Sequence, residues 1–341
     1  MSFPDFLGIG AQRAGTTWLA ANLSRHPDIW TPPLKELHYF DQRLNEPSFG
    51  APIARLLGRE YSDHTGRWYA AYWRRELKRR LMVHRDNFDL HNALWDFRFF
   101  GCSPSDRWYA SLFKQAKGRV AGEITPEYSI LEEEVVARIH SLMPNAKIIF
   151  LMRNPIERDY SGVVKHQLHA GTQREAATDK RLSAHFGNGR RSRRADYLQI
   201  LKKWQRFYPD EQIFVGFIED IHFHPVRLLR HIYTFLGVDP SYAHKALKGK
   251  VNARSPKHMP ASAATHLARR YHEDLRLLSE RFGGYASFWL YCAERLANDR
   301  PGEKVPYPLW NSWLWKEWKE RPSSATAAYP RAGRVQSGAL A

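Results

Sequence analysis

Nine residues into the chain, GAQRAGTT (Gly10 to Thr17) restricts the fold more than any other stretch. A short apolar run, FPDFLGIG (Phe3 to Gly10), leads into it, and TTWLAANLSRHP (Thr16 to Pro27) follows with apolar residues at helical spacing until Pro27 stops them. Strand, glycine turn and helix in that order open a phosphate-binding α/β unit. The glycines let backbone N–H groups close on an anion, and the helix start adds unpaired donors and a positive dipole end. The Lys that follows the second glycine in nucleotide triphosphatases is Thr16 here, and the basic residue, Arg13, sits inside the turn. A triphosphate loop places that Lys on the terminal phosphates and a Ser or Thr on Mg²⁺. Without the GK[ST] element the loop suits a donor that needs no metal.

The rest of the chain keeps the rhythm of an α/β domain. RVAGEIT (Arg119 to Thr125), KIIFLMR (Lys147 to Arg153) and QIFVGFIED (Gln212 to Asp220) read as further strands. Helical stretches are expected near residues 129–142, 155–169 and 195–207, the last with an apolar stripe of Tyr197, Ile200, Leu201 and Trp204. HPVRLLRHIYTFLGV (His224 to Val238) adds an amphipathic helix closed by Gly237. Alternating strands and helices predict an α/β fold, a parallel sheet flanked by helices. Residues 42–107 break the pattern and read as a segment inserted over the sheet. The expected division is one domain over residues 1–297 and a Trp-rich extension over 298–341, ending in a disordered tail.

Composition narrows the partners. In 341 residues Lys and Arg outnumber Asp and Glu by 52 to 35, a net charge of +17, so anionic partners are expected. Basic runs stand at Arg74–Arg80 and Arg190–Arg194. Two cysteines, Cys102 and Cys292, cannot build a disulfide framework. No apolar run reaches the length of a membrane span, and Met1 lies close to the first strand with no room for a signal peptide. These features predict a cytoplasmic protein.

GAQRAGTTWL, KELHYFD (Lys35 to Asp41), GEITPEYS (Gly122 to Ser129) and RNPIERDYSGVVKHQ (Arg153 to Gln167) together resemble the sulfotransferase family, and most nearly its heparan sulfate N- and 3-O-type branch with bacterial relatives. The ordered likeness spans Gly10 to Gln167 and continues loosely to about residue 238. It implies a P-loop NTPase-like α/β fold, 3′-phosphoadenosine 5′-phosphosulfate (PAPS) as donor, PAP as product, and no metal. The loop residues Arg13, Ala14, Gly15, Thr16, Thr17 and Trp18 would hold the 5′-phosphosulfate, with Arg13 where the family has Lys; its planar fork still suits the leaving oxygen. Arg153, at a strand end, and Ser161 would take the 3′-phosphate. Arg254 and Lys257, in KGKVNARSPKHMP, are candidates for a late loop over the nucleotide.

On the acceptor side, transfer to a hydroxyl or amine calls for a base near the acceptor proton. Glu36 matches the family's catalytic Glu, His38 a second polar contact, and Lys35 a position near the sulfuryl oxygens. Glu123, Thr125 and Tyr128 are expected to line the acceptor cleft, with pairing of Glu123 to Arg13 or Arg153 as the structural alternative. Trp68, Tyr69, Trp108 and Tyr109 either stack on the acceptor or belong to the core. In PLWNSWLWKEWKE (Pro308 to Glu320), Trp310, Trp313, Leu314 and Trp318 can share a helical face that packs on the domain or makes a peripheral membrane contact. The acceptor implied is a saccharide or lipid-linked glycan, not nucleic acid. Two rival readings are a P-loop kinase or nucleotidase, which the missing GK[ST] element disfavours, and a non-enzymatic basic module for acidic glycan or nucleic acid, which leaves the motif order unexplained.

Overall fold

The computed structural model describes residues 3–41, 64–169, 193–247, 258–298 and 304–321. Arg254, Lys257, most of the second basic run and the tail fall outside these residues, as do the side chains of Trp68 and Tyr69.

Five parallel strands form the central sheet in the order β2-β3-β1-β4-β5, with β1 at Phe6–Gly10, β2 at Ile29–Trp30, β3 at Val120–Ile124, β4 at Lys147–Met152 and β5 at Ile213–Phe217. The first strand is central, pairing Leu7 with Glu123 on one side and with Ile148 on the other. Chain order therefore reverses around β1. A parallel sheet with such a switch point opens a crevice beyond the carboxyl ends of its strands. The glycine loop leaves β1 there, GEITPEYS leaves β3 there, and Arg153 follows β4 there. The α/β architecture expected from the sequence is present, and every residue of β1 is buried, as a strand covered on both faces requires.

Helices fill both faces. Thr16–Leu23 follows the glycine loop, Pro155–His169 follows β4, and Tyr197–Gln205 buries Tyr197, Ile200, Leu201 and Trp204 as expected. The helix Pro225–Leu236 stops at Gly237, whose φ of 82° fits a residue without a Cβ. Ala261–Phe282 and Gly284–Asn298 run antiparallel, joined at one end by Ser279 to Ser287 (2.8 Å) and at the other by Thr265 to the Leu296 carbonyl (2.9 Å).

In two regions the structure decides between alternatives that the sequence left open. The described part of the inserted segment is helical, His64–Asp86, Leu90–Gly101 and Asp106–Ser111. Trp108 and Tyr109 belong to the core, Tyr109 stacking on Tyr39 at 4.7 Å, so the core reading holds for both. The Trp-rich segment packs on the domain. Strand β7 (Lys304–Pro306) pairs antiparallel with β6 (His258–Pro260), Trp310 stacks on His222 and Trp315 on Phe223, and Trp318 lies against Tyr291. Ser312 caps the helix Trp313–Lys319 in a phase that turns Leu314, Trp315 and Trp318 inward; Trp313 points away and is 38% exposed.

We propose that the folding unit extends to about residue 321. A chain ending at Asn298 loses the buried side chains of Tyr307, Leu309, Leu314 and Trp318. At about 1.5–3 kcal/mol for each large apolar side chain, the truncated chain should lose at least about 3 kcal/mol of stability. Urea unfolding of the two chains measures this, and equal midpoints would place the boundary at 297.

Candidate active site

Backbone geometry marks the site before any chemistry is considered. Among the described residues, four other than glycine have φ in the left-handed region, and three of them are Arg13 (70°), Glu36 (66°) and His38 (54°). Side chains disfavour this region, and it persists where surrounding contacts over-determine the backbone.

The glycine loop is closed by hydrogen bonds from Ala14 N to the Ala11 carbonyl (3.2 Å) and from Ala11 N to the Leu151 carbonyl (2.6 Å). Gly15 then begins the helix with φ 90°, and a Cβ there would lie 2.3 Å from Ile221 Cδ1. No other residue fits both demands. At the start of a helix the first N–H groups, here those of Gly15 to Trp18, have no preceding turn to accept from them. The Trp18 side chain is in the core, so a ligand would meet only its backbone, whereas Thr17 is half-buried at the loop.

Arg13, Arg153 and Ser161 meet beside this helix start. Arg13 Nε donates to Ser161 Oγ (2.9 Å), and Arg153 Nη1 donates to the Arg13 carbonyl (3.2 Å). Arg153 also donates to Glu157 Oε2 (3.1 Å) and to the Tyr307 hydroxyl (2.5 Å). Burial disfavours its charge, but Tyr307 and Glu157 outweigh that and keep its pKa above the usual value. Arg13 has no carboxylate of its own among the described ion pairs. Its pKa is lowered by burial and by the positive charges of Arg153 and Arg158. Two guanidiniums held this close repel each other, and an anion between them relieves the repulsion.

The KELHYFD segment supplies the other half. After Pro32 and Pro33 it is irregular, as expected. Lys35 Nζ pairs with Glu36 Oε1, His38 Nε2 lies 3.6 Å from Glu36 Oε2, and His38 Nδ1 lies 2.6 Å from Asp41 Oδ2. The result is a chain of alternating charge, Lys35–Glu36–His38–Asp41. Burial alone would raise the Glu36 pKa, yet His38 and Lys35 hold the carboxyl at about 2. Burial alone would discharge His38, yet Asp41 and Glu36 raise it to about 10.

Glu123, Thr125 and Tyr128, expected to touch the acceptor, are instead buried behind this segment. Glu123 accepts from the hydroxyls of Tyr109 (2.6 Å), Thr125 (2.7 Å) and Tyr128 (3.0 Å) and from Leu37 N (3.3 Å), while Tyr39 N donates to the Tyr128 hydroxyl (3.0 Å). A carboxylate bonded this way holds KELHYFD in place and pairs with neither Arg13 nor Arg153. From the same segment Glu127 accepts from Gln12 in the loop and from Arg194 of the second basic run. The end of β3 therefore ties both halves of the site together.

Sequence reasoning missed Asp41, Tyr307 and Glu219. Asp41 carries a local signal, an acid three residues after a histidine. Tyr307 carries none, since it reaches Arg153 only through the β6–β7 pairing. Glu219 lies under the site at the end of β5, accepting from Trp289 Nε1 (2.6 Å) with its second oxygen buried and unpartnered among the described residues.

A family model described as "Sulfotransferase family" matches residues 4–242. The chain belongs to that family. Among curated relatives, 248 residues are 23% identical to a bifunctional heparan sulfate N-deacetylase/N-sulfotransferase of Drosophila melanogaster, covering 70% of this chain and 20% of that protein. A second match, over 161 residues at 26% identity, is to the membrane-associated sulfotransferase kil1 of Dictyostelium discoideum, covering 47% of this chain and 22% of that protein. The matched regions thus span about a fifth of each relative's length. Among solved structures, a sulfotransferase from Alicyclobacillus acidocaldarius superposes with a TM-score of 0.52 at 21% identity over 82% of this chain and 96% of that one, which shows a shared fold. The heparan sulfate branch named from the motifs rests on the single Drosophila relative.

Burial, with the neighbouring charge of Glu157, raises the Glu219 pKa to about 8. An unfolded glutamate titrates near 4.3. The folded state therefore holds this proton more tightly, and the stability that it contributes is complete below about 4.3 and lost as pH rises to about 8. Glu219→Gln keeps an oxygen for Trp289 and removes the titration. The variant should gain stability relative to wild type between pH 5 and pH 8.5; parallel melting curves across that range would assign the proton elsewhere.

Proposed function

We propose that this chain transfers a sulfuryl group from PAPS to a hydroxyl or amine of a saccharide or lipid-linked glycan. The observation that carries the reading is the meeting of Arg13, Arg153 and Ser161 at a helix start, with the end of β3 bonded both to that loop and to the KELHYFD segment that carries Glu36. The donor supplies an activated sulfuryl group and a nucleotide with a second, 3′-phosphate. Arg153 and Ser161 hold that phosphate, which a diphosphate nucleotide lacks. Arg13 and the N–H groups of Gly15 to Trp18 hold the phosphosulfate and take up charge on its bridging oxygen as the bond to sulfur breaks. The cations at the loop are guanidiniums, and the proposal includes no metal.

Glu36 receives the acceptor proton as the new bond to sulfur forms. A carboxylate held at about 2 is always ionised but weakly basic. Lys35 resolves this conflict by sharing its charge with the sulfuryl oxygens in the transition state, which makes Glu36 more basic when the proton must move. His38, held charged by Asp41, keeps the carboxylate oriented. A saccharide acceptor is supported by the name of the Drosophila relative and by the net charge of +17, which suits an anionic glycan. We also infer a cytoplasmic location from the two free cysteines. Radiolabelled PAPS offered with a panel of glycans and small hydroxyl compounds identifies the acceptor.

PAP should raise the melting temperature with or without EDTA, and more than ATP with Mg²⁺ or heparin does. A preference for ATP with Mg²⁺ would establish a kinase-type site, and a response to heparin alone a glycan-binding module. Arg153→Lys keeps a charge opposite Glu157 and loses the fork, so PAP affinity should fall roughly tenfold (about 1.4 kcal/mol) while adenosine 5′-phosphosulfate is much less affected. Equal losses for the two ligands would remove Arg153 from the 3′-phosphate.

Glu36→Gln keeps the size of the side chain and cannot take a proton. Turnover should drop by roughly 10² to 10⁴ with PAP affinity nearly intact. Single-turnover kinetics and PAP titration separate the two effects. Turnover within about threefold of wild type would exclude Glu36 as base, since that loss is far below the range for base catalysis.

A further inference from the structure

Seven of the ten large apolar side chains that are exposed among the described residues lie between residues 81 and 97, led by Phe88 (68%), Phe97 (67%), Leu90 (60%) and Leu81 (58%). They gather at the end of the helix His64–Asp86, at Phe88 in the turn that follows, and along the exposed side of the helix Leu90–Gly101. Monomeric proteins rarely leave such a patch in water.

The inner face of the pair explains why the outer one is not needed for folding. Trp73, Trp95 and Phe99 are buried there, with Trp95 stacked on Phe99 at 5.0 Å. Arg80 reaches both oxygens of Asp96 (2.9 Å), and His84 Nε2 lies 2.6 Å from the same carboxylate, so the two helices are cross-linked. The pair is thus anchored without help from Phe88, Leu90 or Phe97.

Charge decides what the face fits. Arg74, Lys78, Leu81 and Arg85 follow one another at spacings of four, three and four, a single strip on one side of the helix. Arg79 is engaged with Glu76, and Arg85 with Asp86, but Arg74 and Lys78 are exposed and make no ion pair among the described residues. An apolar tip with cations one and two turns behind it matches the interface of an anionic bilayer, with acyl chains below and negative headgroups above. A second copy placed symmetrically would bring the same strips of Arg and Lys together, which disfavours self-pairing. No helix among the described residues is long and apolar enough to cross a membrane, so any contact here lies along the surface.

We infer that residues 74–97 form a peripheral docking surface for anionic lipid. The surface is joined to the acceptor side of the site, since Tyr72 and Trp73 pack edge-on against His38 at 5.5 and 6.1 Å. Docking would therefore present a lipid-borne acceptor to the Lys35–Asp41 segment. The lipid contact itself does not depend on the sulfuryl-transfer reading. The expected membrane contact moves from the Trp-rich segment, whose tryptophans other than Trp313 face the domain, to this helical pair.

Sedimentation of the full chain with phosphatidylcholine vesicles, with and without roughly 30% phosphatidylserine, tests the inference. Binding to the anionic vesicles should be at least about fivefold stronger. Phe88→Ser with Phe97→Ser, and separately Arg74→Glu with Lys78→Glu, should each lower it at least about tenfold. The PAP-induced melting shift should be unchanged in both paired variants, which separates this result from failure of the donor reading. Three results would overturn the inference: no preference for anionic vesicles, loss of binding in Trp313→Ser but not in the paired variants, or conversion of a dimer to a monomer by the Phe88 and Phe97 changes.

Discussion

Glu123 is a carboxylate without access to water, and the site is organised around it. Burial pushes its pKa up, and four donors arrive to compensate: the hydroxyls of Tyr109, Thr125 and Tyr128, and the backbone N–H of Leu37. A buried polar group left without partners costs more than its hydrogen bonds gain, so the four donors are not free to move. Leu37 lies between Glu36 and His38. Satisfying Glu123 therefore fixes the backbone on which the proposed base stands, and it does so with both neighbours in a left-handed conformation that their side chains disfavour.

The donor half depends on a different tension. Arg13 and Arg153 are packed together with Arg158 close enough to depress the Arg13 pKa, while the compensating acid, Glu157, is engaged by Arg153 and by Leu309 N. The cluster is complete only with Tyr307, which the short β6–β7 pairing carries in from the far end of the described chain. Like charges held this close repel each other, and that repulsion is what the proposed anion would relieve. Of these charges it is that of Arg13 which burial and its neighbours disfavour in the absence of ligand.

The two halves carry opposite electrostatic designs. At the loop, positive charge is in excess; at KELHYFD, signs alternate and each charge is held by its neighbour. Glu127, bonded to Gln12 on one side and to Arg194 on the other, lies on the stretch of chain that joins them.

Four of the five strands of the sheet, the glycine turns and the helix stops were legible because each depends on residues adjacent in sequence, whereas β2, two residues long, and the β6–β7 pair were not. An apolar run before GAQRAGTT forces a strand, Gly15 is needed by its own φ and by Ile221, and Gly237 ends its helix for the same local reason. Motif order then placed Arg13 and Arg153 just beyond the carboxyl ends of β1 and β4, where a parallel sheet brings them together with Ser161 of the following helix. Which polar residue faces the cleft and which faces the core was not legible, because Glu123 and Glu36 look alike in a sequence and differ only in what the fold packs against them. Tyr307 and the outward turn of Trp313 were hidden for a related reason. Their positions follow from pairing and helix phase across many residues of separation, and local periodicity carries no record of either.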